Sequence, residues 1–208
     1  MYKPIFIAGP CVIETFDILE EVAKELVRLN NKYGINIIFK SSFDKANRTS
    51  LHSYRGPNLE KGLTMLNDIK MKYGLSLLTD IHEPYQAEIV GGIVDVIQIP
   101  AFLCRQTDLL VAAARTGKII NIKKAQFLSG QDMKYPVEKV RETGNANVWL
   151  TERGNTFGYN NLVVDFRNIP DMCSITPHVI MTVHIRFNVR VLMEGKLVEI
   201  ENTFRQWL

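Results

Sequence analysis

The stretch of sequence that decides the fold reads Phe39-Lys-Ser-Ser-Phe-Asp-Lys-Ala-Asn-Arg-Thr-Ser-Leu-His-Ser-Tyr-Arg-Gly56. It follows an apolar run, residues 35–39, that predicts a buried strand. Within sixteen residues of the end of that run come four cations, Lys40, Lys45, Arg48 and Arg55. Lys and Arg bind phosphate and carboxylate through charge-assisted hydrogen bonds, so the cluster predicts a site for a multiply anionic ligand. A solvated basic loop is the alternative.

The composition sets the broad class of protein. The chain has 208 residues, of which 46% are hydrophobic, so it can bury a large core and is expected to form one main domain. Its net charge of +3 predicts no general field for nucleic acid. No stretch has the roughly 20 apolar residues that a membrane span needs, and no secretory signal is expected. Three scattered cysteines favour a reducing compartment, and the expected location is the cytoplasm.

Apolar strand-like runs alternate with amphipathic helical stretches along the chain. The strands are predicted at residues 5–9, 36–40, 75–80, 94–98, 118–123, 148–151 and 179–184, and the helices at 16–33, 58–73, 85–90, 104–115 and 134–143. Such alternation, with strands that are apolar on both faces and short connections, predicts a parallel sheet with helical crossovers.

Two architectures satisfy this pattern, the doubly wound open sheet and the (β/α)₈ barrel. No Gly-x-Gly-x-x-Gly turn follows the first strand, which removes the main indication of a dinucleotide-binding sheet. Nearly every predicted strand instead ends on a polar residue, and these residues are Lys40, Asp80, Gln98, Lys123, Glu152 with Arg153, and His184. In a barrel all these ends converge on one mouth, where active sites lie, so the sequence favours the α/β barrel.

Eight cations are predicted at this mouth. They are Lys40, Lys45, Arg48, Arg55, Arg105, Lys123, Lys124 and Arg153. Eight charges exceed what one phosphate needs. The sequence therefore predicts two phosphorylated reactants, or one phosphate and one carboxylate, with about half of the cations touching ligand and the others lying at the rim.

Cysteine and histidine residues lie at the same predicted face. Cys11 follows the first strand and His184 ends the seventh, so they could share a divalent metal through thiolate and imidazole. A small buried hydrophobe and a core histidine are the alternatives for this pair. His82 and Glu83 follow the third strand and could be either a further polar pair of the mouth or an exposed turn with a hydrogen-bonded histidine.

Several motifs, taken together and in order, resemble the 3-deoxy-D-manno-octulosonate 8-phosphate (KDO8P) synthase family. The resemblance covers residues 5 to about 170. The motifs are Ile7-Ala-Gly-Pro-Cys11, Phe39-Lys-Ser-Ser-Phe-Asp-Lys-Ala-Asn-Arg48, Thr79-Asp-Ile-His-Glu83, Gln98-Ile-Pro-Ala-Phe-Leu-Cys-Arg-Gln-Thr-Asp108, Asn121-Ile-Lys-Lys124, Thr151-Glu-Arg-Gly154 and Phe157-Gly-Tyr-Asn-Asn-Leu-Val-Val-Asp165.

This resemblance implies the transferase reaction of lipopolysaccharide biosynthesis in which phosphoenolpyruvate condenses with D-arabinose 5-phosphate and phosphate is released. By analogy, phosphoenolpyruvate would be held by Lys40, Lys45, Lys123, Arg153, Gln98 and the backbone at Ala101. The aldose phosphate would be bound by Asn47, Arg48 and Thr49, with Arg105 reaching in from a neighbouring subunit of a homotetramer.

The resemblance also implies a cofactor. Cys11, where some members of the family have Asn, resembles the metal-dependent branch. A divalent metal such as Zn, Fe or Mn is therefore expected at Cys11 and His184, where it would orient the aldehyde and activate water.

The resemblance has limits that leave other functions open. Ala125 stands where the family has Gly, and the similarity decays after residue 170. The expectation is an incomplete barrel of about seven strands over residues 1–184 and a divergent tail over 185–208 that could form a β-hairpin. Two alternatives to the octulosonate enzyme remain, the related heptulosonate 7-phosphate synthase of the shikimate pathway and a truncated, inactive ligand-binding homologue. Lys45-Ala-Asn-Arg48 favours the octulosonate enzyme because it resembles that family's aldose-phosphate motif.

Overall fold

The computed structural model describes residues 5–159, 161–182, 190–193 and 196–199. The strands are β1 (Ile5–Ala8), β2 (Asn36–Lys40), β3 (Ser76–Asp80), β4 (Val96–Ile99), β5 (Ile119–Lys123), β6 (Val148–Glu152), β7 (Asn155–Phe157), β8 (Asn161–Val163), β9 (Val179–Met181), β10 (Arg190–Met193) and β11 (Lys196–Glu199). The helices are α1 (Phe16–Tyr33), α2 (Leu59–Tyr73), α3 (Gln86–Gly91), α4 (Thr107–Arg115), α5 (Lys134–Glu142) and α6 (Asn168–Ile175).

Seven strands form one parallel sheet in the order β1-β2-β3-β4-β5-β6-β9. Each strand therefore pairs with the next sheet strand along the chain, and the order never reverses. A doubly wound sheet would reverse its order at a switch point, whereas a barrel adds each strand on the same side of the previous one. The curled sheet is part of a (β/α)₈ barrel, which confirms the predicted incomplete barrel.

The two faces of this sheet pack against different partners. Alternate residues such as Phe39, Leu77 and Ile120 belong to the large cluster that also contains helix residues. The residues between them form a second, smaller cluster around Ile38 and Trp149. Because successive side chains of a strand point to opposite faces, the first set covers the helical side and the second fills the concave side.

The helices begin and end where local chemistry predicts. Thr15 caps α1, and its Oγ1 accepts a hydrogen bond from the Ile18 N–H at 3.3 Å. Gly34 ends α1 in the left-handed conformation, at φ 61°, as a glycine in this position commonly does. The amphipathic patterns therefore located these helices to within a few residues. None of the helices in the described part of the chain is long and apolar enough to cross a membrane.

The structure adds elements that the sequence pattern did not predict. Strands β7 and β8 form a short antiparallel hairpin directly after β6. Helix α6 occupies the region where the resemblance decays, with Pro170 in its first turn, where a missing N–H is tolerated. In the tail, where the sequence allows a β-hairpin, β10 pairs with β11 in antiparallel register. The division at residue 184 remains a prediction.

Candidate active site

The polar residues of the mouth lie on the concave face of the sheet because of the two-residue period of the strands. Ile38 is on this face, so Lys40 is as well. The register then pairs Asp80 with Gln98, Gln98 with Asn121, and Lys123 with Thr151. Paired neighbours in a sheet share a face, so the carboxyl ends of β2 to β6 direct polar side chains into one cavity.

Four cations contribute to the potential of this cavity. Burial lowers the pKa of Lys40 to about 8; Asp80 opposes this shift, while Lys45 and Lys123 lower the pKa further. Burial also lowers the pKa of Lys123, and the charges of Lys45 and Arg153 add to the effect. Lys40, Lys45, Lys123 and Arg153 are therefore close enough to repel one another, and an anion placed among them would relieve that repulsion.

Arg153 comes directly after β6 and is half-buried. Burial lowers the pKa of its guanidinium, and the neighbouring carboxylate of Glu152 opposes that shift. A guanidinium presents several donors in a planar fork, a geometry that matches phosphate or carboxylate oxygens.

The carboxylate of Asp80 lies beneath the cations. It is 8% exposed and lies 3.7 Å from the Lys40 ammonium. It also accepts a hydrogen bond from the hydroxyl of Ser42, and its Oδ2 is 3.3 Å from His82 Nε2. Burial alone would raise the pKa of Asp80, but Lys40, His82, Lys45 and Ser42 together hold it below its ordinary value. The cavity thus carries a permanent counter-charge in its floor.

His82 is part of this floor. Its side chain is 11% exposed and packs edge-on against the ring of Phe43. Of the two interpretations of His82, the structure favours a polar residue of the mouth, because its imidazole lies beside the carboxylate of Asp80. Its Nδ1 is buried and has no hydrogen-bond partner among the described residues. Glu83 follows in the turn and is exposed.

The loop after β1 brings Cys11 to the same mouth. Gly9 makes this possible: at φ 152°, a β-carbon there would lie 2.2 Å from the carbonyl oxygen of Lys40. Cys11 itself is exposed. Partial burial raises the pKa of its thiol, but the combined effect of Lys45, Lys40 and Arg48 brings it below its ordinary value. The thiol is therefore more easily ionised than an isolated cysteine.

The second expected metal ligand, His184, lies outside the described residues. Among the residues that are described, no group of three or more His, Cys, Asp or Glu side chains is arranged to hold a metal ion. Cys11 alone does not make a site, and its charged neighbours are cations. The metal at Cys11 and His184 therefore remains a prediction.

Lys124 was expected at the mouth, and this prediction is wrong. The side chain of Lys124 is fully buried, and its ammonium donates to the carbonyl oxygens of Ala125, Leu128 and Gly154 and to Asn155 Oδ1, at 3.0 to 3.3 Å. The Glu152 carboxylate is 3.7 Å away. Lys123 faces the cavity, and strand alternation sends its neighbour the other way.

Arg55 was also expected among the free cations, and its charge is already paired. Its guanidinium donates two hydrogen bonds to the carboxylate of Asp44, at 2.8 and 2.6 Å. Arg105 is exposed in the turn before α4. The eight predicted cations thus reduce to Lys40, Lys45, Lys123 and Arg153 around one cavity, with Arg48 near Cys11.

The remaining predicted substrate residues lie in two places. Asn47, Arg48 and Thr49 are exposed in the loop after β2. Gln98 is 4% exposed at the end of β4, and Ala101, which is 5% exposed, begins a short 3₁₀ turn directly after that strand. Their expected contacts with substrate remain predictions.

Sequence reasoning missed three residues of the cavity, Ser42, Asn121 and Thr151. Ser42 accepts hydrogen bonds from Lys40 and Lys45. Asn121 accepts a hydrogen bond from Thr151 at 2.7 Å, while its buried Nδ2 has no partner in the described part of the chain. The sequence could have identified all three positions, because each lies two residues from a cation of the mouth. Residues two apart in a strand or its extension share a face, so each side chain points to the same side as that cation.

The chain is similar in sequence to a known family and to several named proteins. A family model described as the DAHP synthetase I family matches residues 2–185. A protein of Fusobacterium nucleatum named 2-dehydro-3-deoxyphosphooctonate aldolase is 55% identical over 168 residues, which are 81% of this chain and 60% of that protein. A protein of the same name from Cyanothece sp. is 58% identical over 166 residues, 80% of this chain and 61% of the relative.

A third protein of that name, from Helicobacter pylori, is 50% identical over 195 residues and is covered over a greater part of its length, 71%, with 88% of this chain aligned. The chain therefore spans about 60% of the length of the first two curated relatives and more of the third.

Proposed function

This chain belongs to the DAHP synthetase I family, and from that premise we propose that it condenses phosphoenolpyruvate with D-arabinose 5-phosphate. The products are 3-deoxy-D-manno-octulosonate 8-phosphate and inorganic phosphate. The name shared by the three relatives supports this choice of reaction. The observation that carries it is the gathering of Lys40, Lys45, Lys123 and Arg153 around one cavity.

Phosphoenolpyruvate carries a phosphate and a carboxylate on adjacent atoms, so it needs several cations within a few ångströms of one another. Lys40, Lys45, Lys123 and Arg153 meet this requirement, and their partial burial strengthens each contact with an anion. Gln98 and the backbone N–H of Ala101 lie at the end of the intervening strand and would complete the contacts. Fixed cations of this kind hold the reactant in one orientation.

The reaction balances without a covalent intermediate on the protein. The enol carbon C3 of phosphoenolpyruvate forms a bond to the aldehyde carbon of the pentose phosphate, whose oxygen takes up a proton. Water then adds to the cationic C2 and releases a proton, which gives an intermediate with a hydroxyl and a phosphate on C2. The C2–O bond to phosphate breaks as the C2 hydroxyl becomes the ketone carbonyl, and its proton leaves with the phosphate. The cations stabilise the phosphate and carboxylate throughout, and the electrostatic stabilisation is largest where charge develops on the departing phosphate.

The aldose phosphate would bind at the exposed loop after β2. Asn47, Arg48 and Thr49 supply an amide, a guanidinium and a hydroxyl in consecutive positions, which is a suitable donor set for a phosphate. Arg105 would approach the same phosphate from a neighbouring copy in a homotetramer. The exposure of Arg105 in its own subunit is compatible with that role.

A divalent metal, with Cys11 and His184 as ligands, is part of the proposal. When bound, it would polarise the aldehyde and lower the pKa of a water molecule. The lowered pKa of the exposed Cys11 thiol supports this assignment, because the thiolate is the form that binds a metal. Metal analysis of the purified chain should give about one equivalent of Zn, Fe or Mn. Cys11→Ser should reduce that content strongly, and an unchanged content in this variant would exclude Cys11 as a ligand.

A phosphate-release assay tests the reaction itself. The chain is incubated with phosphoenolpyruvate and D-arabinose 5-phosphate, with and without a chelator, and erythrose 4-phosphate replaces the pentose in a parallel arm. Release with arabinose 5-phosphate supports the proposal. Release only with erythrose 4-phosphate would indicate the shikimate-pathway reaction. Binding of phosphoenolpyruvate without release in either arm, with each metal added, would indicate a ligand-binding chain without turnover.

We also propose that the protein acts in the cytoplasm. Its three cysteines are unpaired in the structure, as expected for a reducing compartment.

Sedimentation velocity of the purified chain measures the proposed tetramer, and a monomer at micromolar concentration would contradict the contribution of Arg105 from a neighbouring copy.

A further inference from the structure

We propose that Ser42 is a positioning residue that holds the ammonium groups of Lys40 and Lys45 together in the cavity, with Asp80 as their anchor. The ammonium nitrogen of Lys40 lies 2.8 Å from Ser42 Oγ, and that of Lys45 lies 2.9 Å from the same atom. The two nitrogen atoms therefore cannot be farther apart than the sum of these distances. Two like charges at such separation need a third group to keep them there.

The hydroxyl of Ser42 makes all the hydrogen bonds that a serine hydroxyl can make. A serine hydroxyl has one donor and two acceptor positions. The two acceptor positions take the ammonium protons of Lys40 and Lys45, and the O–H donates to Asp80 Oδ1. Every hydrogen-bonding position of Ser42 is thus used in joining two cations to one carboxylate.

The backbone keeps Ser42 in place. Its carbonyl oxygen accepts a hydrogen bond from the Ile13 N–H at 3.0 Å, and the residue forms an isolated parallel bridge with Val12. Ser42 is fully buried. The Ser42 oxygen is therefore held in a fixed position, and the two flexible lysine side chains are ordered against it. Their conformational entropy is then lost when the chain folds, and ligand binding does not have to order them again.

The charged groups around this centre come from several elements. Lys40 and Asp80 end β2 and β3, Lys45 and Arg48 lie in the loop after β2, and Lys123 ends β5. His82 faces Asp80 from the turn after β3, and Cys11 lies beside Lys45. Among these groups Asp80 is the carboxylate that directly receives the Ser42 hydroxyl.

The adjacent serine provides a matched control. Ser41 is also fully buried, but its Oγ has no hydrogen-bond partner in the described part of the chain. Ser41→Ala and Ser42→Ala remove the same atom from neighbouring buried positions, and only the second removes the contacts to the two lysines. Ser42→Thr keeps the hydroxyl and serves as the conservative variant.

The first measurement is made on the free chain and does not depend on any ligand. Lysine side chains are labelled with ¹³C at Cε, and the order parameters of Lys40 and Lys45 are measured by NMR relaxation. Ser42→Ala should lower both order parameters, whereas Ser41→Ala should leave them as in the unmodified chain. Unchanged order in Ser42→Ala, or an equal loss in both variants, would overturn the positioning role.

The second measurement rests on the proposed function because its ligand is phosphoenolpyruvate. Calorimetric titration should show binding weakened about tenfold or more by Ser42→Ala, because two lysines must then be ordered by the ligand. Ser41→Ala should stay within about twofold of the unmodified chain, and Ser42→Thr should recover most of the loss. Equal affinity in Ser42→Ala and Ser41→Ala contradicts the proposal. If the unmodified chain fails to bind, the proposed function is wrong, and the NMR comparison still decides the role of Ser42.

Discussion

At the scale of single residues, the cavity combines groups that sequence alone describes only as polar. Lys40 is a partly buried cation, and its burial lowers its pKa to about 8, whereas Asp80 is a buried carboxylate that its neighbours keep ionised. Each charge offsets part of the desolvation free energy of the other, because burying a charge without a partner costs several kcal/mol. The cavity is therefore lined by charges that already balance one another in part.

The pKa of Lys40 predicts how anion binding depends on pH. Below about pH 8 the ammonium is charged, and above it the free cavity loses this charge and must take up a proton to bind an anion. We expect the affinity for phosphoenolpyruvate to fall about tenfold or more between about pH 7.5 and about pH 9.5, a range in which the ligand's own phosphate, with a pKa of about 6, is fully ionised.

Titration calorimetry at several pH values measures this dependence. Lys40→Met provides the comparison, because it removes this titrating group and should make the affinity depend less on pH while weakening binding at neutral pH. An affinity for the unmodified chain that stays constant to about pH 9.5 would be incompatible with a Lys40 pKa of about 8.

Gly9 supports a second prediction at this scale. A β-carbon at this position would lie 2.2 Å from the Lys40 carbonyl oxygen, and the backbone adopts φ 152°, which side-chain-bearing residues rarely adopt. We expect Gly9→Ala to lower the free energy of unfolding by about 2 kcal/mol or more, as measured by urea denaturation.

The control for this change is Gly34→Ala. Gly34 also has a positive φ, 61°, but nothing lies within 4 Å of the added carbon. It should cost about 1 kcal/mol from backbone conformation alone. If both variants lowered the free energy of unfolding equally, the close approach of Gly9 to Lys40 would not contribute to the effect of Gly9→Ala.

At the scale of secondary structure elements, the alternation of strand side chains separates Lys123 from Lys124. One lysine faces the cavity, and the other is buried at the end of β5, where it connects the loops after β5 and β6. Neighbours in the sequence therefore lie in unrelated surroundings, one in the cationic cavity and the other among the carbonyl oxygens of two loops. The hairpin β7–β8 begins at Asn155, whose side chain is one of the partners of Lys124.

This anchor predicts a large stability effect. Lys124→Met removes the ammonium and leaves the Glu152 carboxylate and several carbonyl oxygens buried with fewer partners. We expect the free energy of unfolding to fall by about 3 kcal/mol, the usual range for breaking a buried pair by removing one partner.

Two variants make this measurement specific. Lys61→Met on the exposed side of α2 should change the unfolding free energy by less than about 0.5 kcal/mol. Adding Glu152→Gln to Lys124→Met should recover part of the loss, because the uncompensated charge is then removed. A Lys124→Met variant as stable as Lys61→Met would refute the anchoring role.

At the scale of the whole molecule, the order of strands in the sheet determines which cations meet. Lys40 and Arg153 are more than a hundred positions apart in the sequence, yet the curled sheet brings both to one cavity. Lys123 lies between them, close enough for its charge to interact with both. Arg55 is close to Lys40 in sequence and is paired elsewhere with Asp44. Distance along the chain is thus a poor guide to membership of the site.

This difference can be tested with two charge-neutralising variants. Lys123→Met removes a cation of the cavity and should weaken phosphoenolpyruvate binding by at least about tenfold, the usual effect of losing a charge-assisted contact. Arg55→Met removes a cation that already has a surface partner and should change the affinity by less than about threefold. Similar losses in both variants, measured by the same titration, would mean that binding reflects net charge and not the cavity.

Much of the architecture followed from the sequence because strand and helix periodicities are local. The runs around Ile38 and Leu77 and the amphipathic stretch from Phe16 to Tyr33 carry their patterns within a few residues. Strand ends such as Lys40 and Lys123 could likewise be assigned to the mouth, since all parallel strands point the same way.

Only the tertiary structure decided the partners of each charge. That Lys124 is buried among carbonyl oxygens, that Arg55 is neutralised by Asp44, and that Ser42 joins two lysines to Asp80 depends on distances between distant segments. A sequence pattern specifies which face a side chain takes. Its electrostatic environment is set by groups that folding brings within a few ångströms, because Coulomb energies depend on the distances between charges and desolvation depends on burial.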